Sequence, residues 1–184
     1  MLVTHALMSA RRRRVAALER TQPLMLHLGS AGVRKTGWVN VDLAGDAVDL
    51  VWDLTRPLPF SSGSVDAIFH EHFITVLTLR DGFDLTSECH RVLRPGGVLR
   101  CGVPDCGDPS SAWPDSPTPL LGLQEFHHWD SSSRTMYDAE TLELVMTAAG
   151  FESPEARPFG DSRLDPCPDG DHRRRGTLFM EAVK

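Results

Sequence analysis

The residues best suited to chemistry are two acids that close short apolar runs, Asp42 and Asp53, and the cluster His70-Glu71-His72. Asp42 ends the run Trp38-Val39-Asn40-Val41, which follows the apolar segment Leu24 to Leu28 and the turn Gly29-Ser30-Ala31-Gly32. A turn poor in side chains lets backbone approach a ligand, and a carboxylate at the next strand end can accept both hydroxyl protons of a ribose. Together they make half of a site for a nucleoside-bearing cofactor. A histidine beside a glutamate offers a base that titrates near neutrality and a partner to orient it. His72 is the expected base, with Glu71 orienting it or binding substrate. The alternative is that both only support the cofactor pocket.

The elements that would position these groups alternate. A helix is expected over His5 to Arg20, with Thr4 as N-cap and Pro23 as stop. Strands follow at Leu24–Leu28, Trp38–Val41, Val48–Leu54 and Val65–His70, the last mostly apolar and so central. Leu77 to Leu93 has helical spacing, with Phe83, Leu85, Cys89, Val92 and Leu93 as core candidates, and His90 as a surface residue. Arg94-Pro95-Gly96-Gly97 should break it before a fifth strand, Val98–Val103. A helix over Ala139 to Ala149, closed by Gly150, precedes two β-like segments, Glu155–Phe159 and Thr177–Val183. Alternating strands and helices predict an α/β fold, a mostly parallel sheet covered on both faces with a C-terminal antiparallel hairpin. Ligands in such sheets bind over the carboxyl ends of the strands. That rule puts Gly29, Asp42, Asp53 and the histidine cluster along one edge.

Bulk properties narrow the classes. The 184 residues make one domain spanning 1–184, with a net charge of −6, which argues against a nucleic-acid binder. A basic run, Arg11 to Arg14, reads first as a solvated helix face and otherwise as a contact for an anionic substrate or partner. The spacing of Cys89, Cys101, Cys106 and Cys167 suits reduced thiols rather than zinc or a disulfide framework. The N-terminus does not read as a signal peptide, and no segment approaches membrane-spanning length. The expectation is a cytoplasmic protein, a monomer or homodimer that does not bind membranes.

The cofactor can be narrowed too. A dinucleotide site would want three spaced glycines opening a helix and an acid about 20 residues on. Here Val33 to Gly37 is too short for a crossover helix and Asp42 arrives early. No Gly-Lys-Ser/Thr signature of a phosphate loop occurs. A smaller nucleoside cofactor is favoured.

From Leu24 to Phe151 the chain resembles the class I S-adenosylmethionine-dependent methyltransferases, specifically the small, type 11-like methyltransferase-domain group. The resemblance rests on LHLGSAG, GWVNVDL, VDLVWDLTRPLPFSSGSVDAIF, ECHRVLRPGGVLRCGVPD and YDAETLELVMTAAGF, in that order. It implies a Rossmann-like three-layer sandwich and S-adenosyl-L-methionine as cofactor. Gly29, Ser30 and Ala31 would then lie against its methionine part, Asp42 and Leu43 against the ribose side, Asp53 and Leu54 against adenine, with His70 nearby. Three departures stand out: His27-Leu28 where an acid usually holds the cofactor's ammonium group, Ala31 for a glycine, and Thr75-Val76 for a second Glu-His pair.

The long segment 104–135 carries Glu125, Phe126, His127, His128 and Trp129, with Met136 and Tyr137 just beyond. Loops of that length tend to be functional or disordered, and His127, His128, Trp129 and Tyr137 are expected to close over an apolar or aromatic small-molecule acceptor. The alternative is that Trp129 and Tyr137 pin the loop to the body, while Phe126 and Met136 pack. The reading is O-methylation of a small molecule in a biosynthetic pathway, with no metal. Two alternatives remain: a non-catalytic cofactor-binding partner or regulatory subunit, and a metal-dependent enzyme using His70, His72, His127 and His128. A cyclisation or elimination driven by the cofactor's sulfonium also stays open.

Overall fold

The apolar runs assemble into one seven-stranded sheet. The computed structural model describes residues 2–108 and 133–184, with side chains from Ala10 onward. In chain order the elements are α1 (Leu2–Leu18), β1 (Met25–Leu28), β2 (Val39–Asp42), β3 (Leu50–Val51), β4 (Val65–Glu71), α2 (Leu79–Val92), β5 (Leu93–Pro104), α3 (Ala139–Ala148), β6 (Glu152–Arg157) and β7 (Thr177–Val183). The strand order is β3-β2-β1-β4-β5-β7-β6. The first five strands in this order are parallel, and β7 runs antiparallel between β5 and β6. The expected mixed sheet with a C-terminal hairpin is the one observed.

One face carries the main core. Leu26 and Leu28 of β1, Ile68 of β4 and Leu99, Cys101 and Val103 of β5 meet Leu85, Cys89 and Val92 of α2 and Leu142, Val145 and Met146 of α3. The helical spacing in α2 is thus a packing stripe. Phe83 is only half-buried, and His90, expected at the surface, is half-buried with its ring edge-on to Phe151. Thr78 caps α2 by accepting the Asp81 N–H at 3.2 Å, and Asp138 caps α3 by accepting that of Thr141 at 2.8 Å.

The other face departs from expectation. Among the described residues it is covered by the segment between β6 and β7, whose Phe159 and Leu164 pack against Trp38, Ala67, Phe69 and Phe179. The reason lies in the short β1–β2 connection. Without a crossover helix, the Asn40 amide holds that connection: Oδ1 accepts the Lys35 N–H at 2.9 Å, and Nδ2 donates to Trp38 O at 3.0 Å and Asp49 Oδ2 at 2.8 Å. Arg100 and Glu181, both fully buried, pair with each other, and Arg100 also pairs with Asp169 of the covering strap.

Element boundaries correct the sequence reading at α1, β3, β5 and β6, the last spanning Glu152–Arg157 rather than Glu155–Phe159. Helix α1 begins at Leu2, so Thr4 lies inside it. The third strand shrinks to Leu50–Val51, because Asp53 turns the chain by accepting the Thr55 N–H. Arg94-Pro95-Gly96-Gly97 does not precede β5 but forms its first part, where the Gly96 N–H donates to Lys184 O at 2.6 Å.

Candidate active site

The carboxyl ends of β1, β2 and β3 open onto a cleft of about 130 Å³ lined by Asp42, Leu43, Trp52, Asp53, Leu54 and Phe73, among others. Asp42 is fixed there. Its Oδ2 accepts the Ala31 N–H at 2.8 Å and its Oδ1 the Leu43 N–H at 2.6 Å. Each oxygen keeps a lone pair for a further donor. Ala31 sits at φ +43°, so this bond holds the turn in the left-handed region without a glycine. Leu43 is 66% exposed and offers an apolar face across the cleft from Leu54.

Asp53 reaches the same cleft but is engaged locally. Thr55 Oγ1 donates to Oδ1 at 2.7 Å and Arg56 Nε to Oδ2 at 3.2 Å. These bonds, led by that from Thr55, hold its carboxyl below the ordinary aspartate value.

The floor of the turn is Gly29, at φ +67°, with the Phe73 ring directly against its Cα. A Cβ here would overlap that ring. Gly29→Ala is therefore expected to destabilise the protein by about 2 kcal/mol or more, from the left-handed backbone and the clash together. Urea unfolding checks this; an unchanged midpoint would show that Phe73 yields freely.

The histidines stand at the end of β4, as their position in the chain predicts, but in different surroundings. His70 is 1% exposed, in register with Leu28 and Cys101 on the helix-covered face, and does not line the cleft. Burial, with His27 adding repulsion, pushes its imidazole down to about 4. His72 lies beyond β4 at φ +51°, with Nε2 2.9 Å from Thr177 Oγ1. Burial first, then Arg173 and His172, push it down to about 3. It is a neutral strut between β4 and β7 and a poor proton acceptor. The strand alternation that would have put His70 and His72 on one face ends at Glu71. Among the described residues no group of three or more potential ligands could hold a metal ion.

Glu71 faces the strap. Its Oε1 accepts the Gly170 N–H at 3.1 Å, and burial pushes its carboxyl above the ordinary value. His27, standing where an acid was expected, is buried: Nδ1 donates to Asn40 Oδ1 at 3.1 Å and the ring stacks on Phe69. Burial pushes it down to about 4. Its place in the chain is structural, a neutral brace for the connection that lacks a helix.

Of the expected acceptor-side residues, Tyr137 is 1% exposed, backed by Gly82 and Ile74 and bridged through its backbone to Asp105. It anchors the chain rather than offering a surface. Met136, expected to pack, is exposed. Glu125, Phe126, His127, His128 and Trp129 lie outside the described residues. Sequence reading missed the strap residues His172 and Arg173 beside Glu71 and His72, although the run Asp171-His172-Arg173-Arg174-Arg175 signals them.

The site fits the nucleoside half of S-adenosylmethionine. A fixed carboxylate suits a ribose diol, and apolar walls at Leu43 and Leu54 suit a flat base.

Known proteins agree. Residues 5–101, more than half of the chain, match the family model described as methyltransferase domain. A probable S-adenosylmethionine-dependent methyltransferase of Mycolicibacterium smegmatis is 37% identical over 105 residues, 57% of this chain and 35% of that protein. The alignment thus spans about a third of that relative's length. A methyltransferase of the same cofactor class from Archaeoglobus fulgidus shares the fold at TM-score 0.61 and 16% identity, over 97% of this chain and 94% of that one. One from Mesorhizobium loti does so at TM-score 0.58 and 15% identity, over 92% and 96%. With its cleft, its sheet order and the match over residues 5–101, this chain belongs to the methyltransferase domain family of S-adenosylmethionine-dependent enzymes.

Proposed function

We propose that this protein transfers the methyl group of S-adenosylmethionine to an oxygen of a small molecule, as a biosynthetic enzyme working in the cytoplasm as a monomer or homodimer. The observation that carries the cofactor half is Asp42, held by two backbone N–H groups at the mouth of the Leu43–Leu54 cleft. When bound, S-adenosylmethionine supplies an electrophilic methyl group. The chain's own contribution is placement: in-line transfer gains most from alignment, and a base matters only where the acceptor must lose a proton. His72 is held neutral with Nε2 engaged, so with Glu71 it serves as a positioning residue at the end of β4. An oxygen nucleophile already ionised at neutral pH suits this arrangement, because it needs no base. The net charge of −6 supports a small molecule over nucleic acid.

One observation favours the second reading, a cofactor-binding regulatory subunit. His27 replaces the expected ammonium-binding acid and is spent on Asn40. Calorimetry with S-adenosylhomocysteine and turnover on an acceptor panel separate the two; binding without turnover selects the regulatory subunit. Asp42→Asn keeps the shape but removes an acceptor, and is expected to raise the Kd for S-adenosylhomocysteine about tenfold or more. An unchanged Kd would remove Asp42 from the cofactor site.

A further inference from the structure

We propose that the acceptor carries an anionic oxygen group, a carboxylate or phosphate, held by Arg173 and His172 of the strap at the ends of β4 and β7. The inference rests on the methyltransferase reading and names its substrate class.

The charges of the site are divided. The acids of the cleft, Asp42 and Asp53, stand at the β2 and β3 ends. At the β4 and β7 ends the charge reverses, in a chain whose net charge is −6. A single 3₁₀ turn, Asp171–Arg173, is fixed by the Arg173 N–H donating to Gly170 O at 2.8 Å. The neighbouring Gly170 N–H is bound by Glu71, so the turn is tied directly to the end of β4. Four residues on, Thr177 Oγ1 meets His72 Nε2. Phe73, the next residue after His72, forms the cleft wall against Gly29. The turn therefore borders the same strand end as the cofactor cleft, on the side away from the adenine wall.

Arg173 is half-buried, and its Nε is shielded from solvent without a hydrogen-bond partner. Among the described residues it makes no ion pair, whereas its neighbour Arg174 pairs with Asp171 at 3.7 Å and stacks on Phe159. A shielded guanidinium nitrogen without a hydrogen-bond partner is costly unless a ligand completes it. His172 adds a second donor 3.9 Å from Glu71 Oε2. Glu71 offers one carboxylate to two fixed cations, since Lys35 and Arg173 both act on it, and its Oε1 already accepts the Gly170 N–H. Arginine's planar fork matches a carboxylate or phosphate through two parallel bonds. Such a group would also be attracted by the positive sulfonium, which brings the acceptor to the methyl end of the site.

Calorimetry on the full chain saturated with S-adenosylhomocysteine tests this, with phenyl phosphate, benzoate and neutral benzyl alcohol as probes. Phenyl phosphate or benzoate should bind at least tenfold more tightly than benzyl alcohol. Arg173→Gln should weaken that binding at least fivefold, Arg173→Lys less, with the Kd for S-adenosylhomocysteine within twofold of wild type. Phosphate preferred over benzoate names a phosphorylated acceptor, and the reverse names a carboxylate. Arg12→Gln, in the separate basic run of α1, should change nothing. The proposal is overturned if the anions bind no better than benzyl alcohol, if Arg173→Gln leaves them unaffected, or if Arg12→Gln removes their binding instead. Failure of wild type to bind S-adenosylhomocysteine would overturn the underlying methyltransferase reading, a result distinct from any of these.

Discussion

Arg100→Ala is expected to destabilise the protein by about 3–5 kcal/mol, enough to leave much of the chain unfolded at 37 °C. Arg100 is fully buried in β5. Its Nε and Nη2 each lie 2.5 Å from the Asp169 carboxylate, Nη1 donates to Glu181 Oε1 at 3.2 Å and to Asp161 O at 2.9 Å, and the guanidinium sits over Phe179. Removing it takes the guanidinium away from two buried carboxylates. Asp169 would lose its main partner, while Glu181 would keep Ser162, the Arg163 N–H and the flanking arginines. The strap that covers the second face would then lose its main attachment. Replacing the tighter pair together, Arg100→Met with Asp169→Leu, should recover much of the loss, because Glu181 keeps its contacts to Ser162, Arg163 and Arg157 and the Asp169 charge is gone. Urea midpoints of the two variants measure the difference. A single variant as stable as wild type would mean that water reaches this cluster and solvates it.

This network also marks the limit of what the sequence could show. The strands, their order of appearance and the nucleoside half-site were legible because periodicity and turn chemistry are local: Leu24 to Asp42 already contains strand, turn, strand and carboxylate. Arg100 was not legible as a core residue. In Val98-Leu99-Arg100-Cys101 it reads as the solvent-facing position of an alternating strand, and its partners lie 69 and 81 residues away. The second layer was missed for the same reason. The short Val33–Gly37 connection was visible, but not that the segment before β7 would fill the place of a helix. The histidines failed differently. Their residue type suggested titration near neutrality, whereas burial, which single-sequence spacing cannot report, turned His27, His70 and His72 into neutral packing groups. Asp42 survived as a candidate because a strand-end position fixes both its exposure and its direction.

Those three histidines make acid the second strong perturbant. Their imidazoles are pushed to about 4, about 4 and about 3 in the folded chain, against an ordinary value of 6.5. A group whose folded pKa is depressed binds fewer protons folded than unfolded between the two values. Its contribution is present above pH 6.5 and is lost as pH falls toward the folded pKa. At pH 5 unfolding should take up about two to three protons from these residues, a slope of roughly 3–4 kcal/mol per pH unit. Asp49 and Glu88, whose carboxyls are held low by hydrogen bonds and ion pairs, act in the same direction. Glu71, pushed up by burial, opposes them with a single proton. The unfolding midpoint in urea should thus hold between pH 8 and 7 and fall steeply from pH 6.5 to pH 4. His70→Leu, on the apolar helix-covered face, should reduce the slope by about one proton. A flat profile across that window would show that the three rings accept protons in place, which would return His72 to candidacy as the base.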